Sequence, residues 1–109
     1  MKRVVFDIDG TLCEERETFE RGLAQPKREI IELVNELYAQ GVFVILYTAR
    51  SWSEYKITET WLKGNGVHYS LLMCGKPIYD LWVDDRAVNP SNIEKLKEEI
   101  RGRHVRNFS

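Results

Sequence analysis

Four acidic side chains dominate the chemistry that this 109-residue sequence offers. Asp7 and Asp9 stand two apart in VVFDIDGTL, and Asp84 and Asp85 are adjacent in LWVDDR. Neighbouring carboxylates repel one another unless a cation or a lysine offsets them. Between the two acidic motifs come Thr48, in YTAR, and Lys76, in GKP. Carboxylates, a hydroxyl and an ammonium together suit phosphoryl transfer: a phosphate ester is an anion attacked by another anion, so its charge must be neutralised and the nucleophile held in line. Magnesium prefers oxygen ligands and uses only a few carboxylates. The expected ligands are Asp7 and Asp85, with Asp9 offering its backbone carbonyl and Asp84 orienting a ligand, a bound water or Lys76.

In this reading the second oxygen of Asp7 attacks phosphorus and forms an aspartyl-phosphate. Asp9 protonates the leaving alkoxide and later deprotonates the hydrolytic water. Gly10 lets the chain turn sharply, so that N–H groups around Ile8 and Asp9 face the phosphoryl oxygens. Thr48 adds a hydroxyl donor, and Lys76 a positive charge that restrains the nucleophile. Arg50 is a candidate contact for a substrate anion, with a surface place on the first turn of a helix as the plainer alternative.

These residues need a scaffold, and the apolar pattern supplies one. Arg3 to Ile8 is short, β-branched and nearly all apolar, as for a strand buried on both faces of a parallel sheet. Thr11 to Gln25 is polar and glutamate-rich, a loop or short hairpin placed to lie over a site. A helix is predicted from Pro26, with Ile30, Ile31, Val34, Leu37 and Tyr38 at helical spacing and Gly41 at its end. Val42 to Tyr47 is a second buried strand. Ser51 and Glu54 have capping-box spacing before a helix whose Ile57, Trp61 and Leu62 share a face. Val67 to Met73 reads as a third strand, and Leu81 to Val83 as a short fourth that runs into Asp84. Asn89 and Pro90 suit the start of a last helix striped by Ile93, Leu96 and Ile100 and closed by Gly102. Strands alternating with helices give an α/β fold: a minimal Rossmann-like parallel sheet of about four strands, helices on both faces, and one domain over 1–109. Ligands of such sheets bind beyond the carboxyl ends of the strands, where the motif residues are expected to collect.

Through DIDGTL, YTAR, GKP and VDDR, in that order from Val4 to Arg86, the chain resembles the haloacid dehalogenase-like superfamily. The resemblance implies a magnesium-dependent phosphatase acting on a phosphate monoester with Asp7 as nucleophile. An aspartate two places on, here Asp9, is characteristic of that superfamily's phosphatases and phosphomutases. Larger members insert cap domains, for which this chain has no space. It is similar to the capless members, which act on large substrates with exposed phosphates or borrow cover from a neighbouring subunit, so a homodimer is one expected partner. LWVDDRAVNPSN and the small size are also similar to phosphatase-like proteins linked to capsule or surface-polysaccharide biosynthesis. A phosphotransferase or phosphomutase is the nearest rival. A non-catalytic regulatory module is the other, although in the receiver domains it would resemble the acidic pair precedes the phosphoacceptor.

Composition narrows the rest. With 16 Lys plus Arg against 17 Asp plus Glu, the net charge is −1, so no global field attracts nucleic acid or an anionic membrane. No apolar run approaches bilayer length and no signal-peptide pattern opens the chain, which gives a cytoplasmic expectation. Cys13 and Cys74 lack disulfide-framework or zinc spacing and read as small apolar residues. His68 and His104 read as structural or exposed. Glu14 to Glu20 read as a solvated loop, and Arg101, Arg103 and Arg106 as a solvent-facing basic run. Trp52 and Tyr55 read as packing at the helix–sheet interface rather than a stacking wall, and Asn89 as a cap rather than a holder of a metal-bound water.

Overall fold

Three short apolar runs pair side by side in the computed structural model, which describes residues 1–103; His104, Arg106 and the rest of the tail lie outside the described residues. β1 (Arg3–Phe6), β2 (Phe43–Tyr47) and β3 (Leu71–Met73) form a parallel sheet in the order β1-β2-β3. Phe6 lies opposite Leu46, and Leu46 opposite Leu72. This row, with Val44, is buried. α1 (Arg28–Ala39) packs on β2 and adds Ile30, Ile31, Val34 and Leu37 to the same core. Each such side chain contributes about 1.5–3 kcal/mol by leaving water. Alternation in a strand sends the next residues to the other face. There Val5, Phe43, Leu71 and Met73 are exposed, so the expectation of strands buried on both faces is corrected: helices cover one face well and leave the other largely open.

α2 (Tyr55–Gly64) begins as the sequence suggests. Glu54 Oε1 accepts the Ser51 N–H at 3.1 Å, and one tight turn, Trp52–Glu54, leads into the helix. Its buried face is Thr58, Trp61 and Leu62, whereas Ile57 is exposed. Trp61 Nε1 donates to the Ala24 carbonyl at 2.9 Å and so anchors the long connection between β1 and α1. α3 (Ile93–Arg103) buries Leu96 and Ile100. Its cap is Asn92, whose Oδ1 accepts the Lys95 N–H at 3.1 Å; Asn89 instead closes a turn by accepting from Ser91 at 2.9 Å. The terminal Met1 ammonium donates to the Arg103 carbonyl at 2.9 Å, holding the end of α3 to the start of the chain.

The sheet has three strands among the described residues, not four. Leu81 to Val83 has a strand's composition but no ladder: it is irregular and exposed, so composition was not matched by a hydrogen-bonded neighbour. Among the described residues no helix is long and apolar enough to cross a membrane.

Candidate functional site

Parallel strands end on one side, and three of the four motifs meet there. Asp7 directly follows β1, Thr48 follows β2, and Lys76 comes three residues after β3. The pairing of β2 with β3 continues past both ends. Thr48 N–H donates to the Met73 carbonyl, Lys76 N–H to the Thr48 carbonyl, and Gly75 N–H to the Arg50 carbonyl, each at 2.9 Å. Gly75 makes this possible with φ +78°, where a side chain is strained.

Lys76 Nζ lies 3.7 Å from Asp7 Oδ2. The same ammonium sits 5.2 Å from the ring centroids of both Tyr79 and Trp82, within cation–π range. Asp7 Oδ1 accepts the Ile8 N–H at 2.8 Å. Burial pushes the Asp7 carboxyl up from its ordinary range; the Ile8 N–H and Lys76 oppose this, the Asp9 charge adds to it, and the net direction is upward. A carboxylate so placed is fixed, partly desolvated and still open to solvent on one side.

Gly10 turns the chain at φ +83°, as expected from DIDGTL, and its N–H donates to the Cys13 carbonyl at 2.8 Å. The Ile8 carbonyl takes the N–H groups of Thr11 and Leu12 at 3.0 and 2.8 Å. Lys27 Nζ reaches over to the Gly10 carbonyl at 3.1 Å. The result is an open cleft of about 300 Å³ lined by Asp7, Asp9, Gly10, Thr11, Glu15 and Lys27, with Asn89, Pro90 and Ser91 on the far wall. The polar connection therefore does border the site, as its composition suggested. Cys13 beneath it is buried, its thiol pushed up to about 11 by burial and then by the Asp9 charge, which suits an inert apolar filler. A larger concavity of about 500 Å³, bordered by Lys56, Glu59 and Lys63, contains none of the motif residues.

Arg50 departs from both sequence readings. It is 1% exposed, neither on the surface nor presented to a ligand. Its Nε donates to Asp9 Oδ2 at 2.9 Å and its Nη2 to Asp9 Oδ1 at 2.7 Å, a bidentate pair. Its Nη1 donates to Thr58 Oγ1 of α2 at 2.9 Å. A buried guanidinium survives only with partners of this kind. Thr48 is also fully buried, and its Oγ1 accepts the Arg50 N–H at 3.1 Å, so the hydroxyl braces the turn after β2. The Ile8 N–H expected to face a phosphoryl oxygen is taken by Asp7. Trp52, expected to pack inside, is 59% exposed and stacks on Tyr55 with centroids 5.9 Å apart.

The fourth motif is not brought in. Asp84 and Asp85 are exposed, and Asp84 Oδ1 accepts the Arg86 N–H at 2.8 Å, which holds its carboxyl below the usual range. With Asp9 engaged by Arg50 and Asp7 facing Lys76, no group of three His, Cys, Asp or Glu side chains able to hold a metal ion occurs among the described residues. The donors as arranged do not fit magnesium, because the expected set is divided between two parts of the chain. Two residues that the sequence reading passed over are tied to the motif residues, Lys27 through the Gly10 carbonyl and Thr58 through Arg50. Lys27 carried a signal, a lysine directly after the proline that opens a helix; Thr58 carried none beyond its polarity on a helix's apolar face.

No family model matches the chain, and no curated protein is significantly similar to it. Solved structures are. A structural-genomics target from Vibrio cholerae superposes with a TM-score of 0.74 at 27% identity, over 95% of this chain and 100% of that one. A chain of the Pnkp1/Rnl/Hen1 complex superposes with a TM-score of 0.63 at 23% identity, over 78% of this chain and 31% of that one. This chain thus spans the whole of the first and about a third of the second, and the second likeness speaks to fold alone. By topology and by these likenesses the protein is an α/β domain built on a small parallel sheet.

Proposed function

We propose that the chain is a phosphohydrolase that cleaves a phosphate monoester through an aspartyl-phosphate on Asp7, the activity implied by its resemblance to capless haloacid dehalogenase-like phosphatases. The observation that carries the reading is the pair at the carboxyl end of the sheet: a partly exposed Asp7 fixed by the Ile8 N–H, with Lys76 Nζ 3.7 Å from its other oxygen. A bound phosphoryl group has its nucleophile and a neutralising charge within one contact of each other. Asp7 Oδ2 forms the bond to phosphorus as the ester P–O bond breaks, and Asp9 gives its proton to the departing alkoxide. Water then attacks phosphorus, Asp9 takes its proton, the Asp7 ester bond breaks, and orthophosphate leaves. Lys27, on the cleft wall, adds a second positive charge where an anion would enter.

Magnesium enters only as a requirement for the assay to read. Phosphate release from sugar phosphates, nucleoside monophosphates and phosphopeptides should be followed with and without magnesium, beside Asp7→Asn. Turnover that survives Asp7→Asn sinks the proposal. A phosphoenzyme that passes its group to an added alcohol faster than to water would favour the phosphotransferase reading, whereas an open cleft favours hydrolysis. A second copy of the chain, as a source of cover, is read by sedimentation velocity at assay concentration.

A further inference from the structure

From the buried hydrogen-bond chain Thr58–Arg50–Asp9 we infer that Arg50 and Thr58 are positioning residues for proton transfer at Asp9, not contacts for the substrate. The inference rests on the phosphohydrolase reading above and adds the machinery that aims its acid–base group.

Asp9 begins the turn that leads away from β1, where a free side chain would sample several rotamers. Here both its oxygens are held by one planar guanidinium, at 2.9 and 2.7 Å, which fixes the plane of the carboxyl group as well as its position. The guanidinium is fixed in turn. Thr58 Oγ1 accepts from Nη1 at 2.9 Å, and Thr58 is fully buried on α2, so its hydroxyl cannot drift. The Arg50 backbone is pinned on both sides, its N–H to Thr48 Oγ1 at 3.1 Å and its carbonyl to the Gly75 N–H at 2.9 Å. With its three nitrogens engaged and 1% of the residue exposed, Arg50 has no surface to offer a substrate. Asp9 keeps one side open, with 17% of its side chain exposed, and lines the cleft that contains Asp7. Helix α2, which lines none of that cleft, therefore sets the aim of the group that exchanges protons in it.

The two ester classes separate this role from its rivals. An aryl phosphate such as p-nitrophenyl phosphate expels a stable phenolate that needs no proton, whereas an alkyl phosphate such as glycerol phosphate expels an alkoxide that does. The ratio kcat/KM reports the steps up to release of the alcohol, so it isolates protonation of the leaving group from later attack by water. Thr58→Val removes one hydrogen bond and keeps the side chain's shape, and Arg50→Lys keeps the charge without the fork. In both, kcat/KM for glycerol phosphate should fall by about tenfold or more relative to that for p-nitrophenyl phosphate. An unchanged ratio in both variants, whether through equal losses that track the folded fraction or through equal rises in KM, overturns the inference and leaves the phosphohydrolase reading standing. A wild-type protein that turns over neither these two esters nor any alkyl phosphate of the panel above overturns that reading, and this inference with it; where only a panel member is turned over, that member replaces glycerol phosphate and its aryl-phosphate counterpart replaces p-nitrophenyl phosphate in the comparison.

Discussion

Lys76 donates its backbone N–H to the carbonyl of Thr48 at 2.9 Å, so two motif residues 28 positions apart (76 − 48) are neighbours in one extended ladder. The side chain of Lys76 runs from this ladder to place its ammonium 3.7 Å from Asp7 Oδ2. The ladder depends on Gly75. A Cβ at that position would sit 3.1 Å from Trp52 Nε1 and would force an L residue to φ +78°. Gly75→Ala should therefore lower stability by about 1–2 kcal/mol, the cost of a left-handed residue with a side chain. Most of that loss should persist in a Trp52→Ala background, because the exposed indole can move aside and the backbone cannot; denaturant midpoints of the four proteins measure this.

Asp9 carries stability apart from its proposed role in proton transfer. Asp9→Ala leaves the Arg50 charge buried without its partner, for a loss of about 3–5 kcal/mol in chemical denaturation. Replacing Arg50 by Met in the same protein should recover a large part of that loss, and a double-mutant cycle reads the coupling. Activity should not return with it.

Glu54 links stability to pH. Burial pushes its carboxyl up, but hydrogen bonds from Arg21 and from the Ser51 N–H outweigh burial and hold it below its ordinary value. A depressed carboxyl stabilises the fold above the unfolded value of about 4.3 and loses that contribution as pH falls through the lower, folded value. Glu54→Gln should cost about 1.5–3 kcal/mol near pH 7 and much less near pH 3, flattening the acid limb of the stability curve. Equilibrium unfolding between pH 3 and pH 7 is the measurement.

Cys13 and Cys74 are both buried, with thiols raised by burial, Cys13 to about 11. Alkylation by iodoacetamide at pH 8 should be slow in the native protein and fast for both cysteines in denaturant. Labelling at the rate of a free thiol in the native state would contradict, for Cys13, the packing beneath the Gly10 turn and, for Cys74, its burial directly after β3.

Asp84 and Asp85 are exposed and do not line the cleft that contains Asp7. Asp84→Asn and Asp85→Asn should therefore leave the denaturation midpoint close to that of the wild type. Phosphate release by both variants should also stay close to the wild-type rate at every magnesium concentration. Equilibrium unfolding and the phosphate-release assay check the two halves.

Much of this arrangement was legible in the sequence because it depends on neighbours in the chain. The stripe of Ile30, Ile31, Val34 and Leu37 and the capping pair Ser51–Glu54 are local patterns and lie where spacing put them, whereas Tyr38, expected in the same stripe, is exposed. The Gly10 turn and the strand-ending positions of Asp7 and Thr48 are local patterns too. What escaped depends on distant contacts. Arg50 reads as an anion contact or a surface charge until Asp9, 41 positions before it, and Thr58, eight after it, are placed around it. Leu81 to Val83 has strand composition, yet a strand exists only with a ladder beside it. Asn89 reads as the cap because Pro90 follows it, and only the helix geometry gives that role to Asn92.

The burial of one guanidinium among Asp9, Thr58 and the turn after β2 also restricts how this sequence can diverge. Loss of Asp9 alone strands a charge in the interior, and loss of Arg50 alone empties its space and frees two polar partners. Single replacements at these positions therefore pass through poorly folded proteins, while joint replacement by an apolar set is tolerated by the fold. Among homologues, positions 9, 50 and 58 should change together or not at all, so their covariation would carry a record of which descendants kept the buried ion pair and which kept only the scaffold.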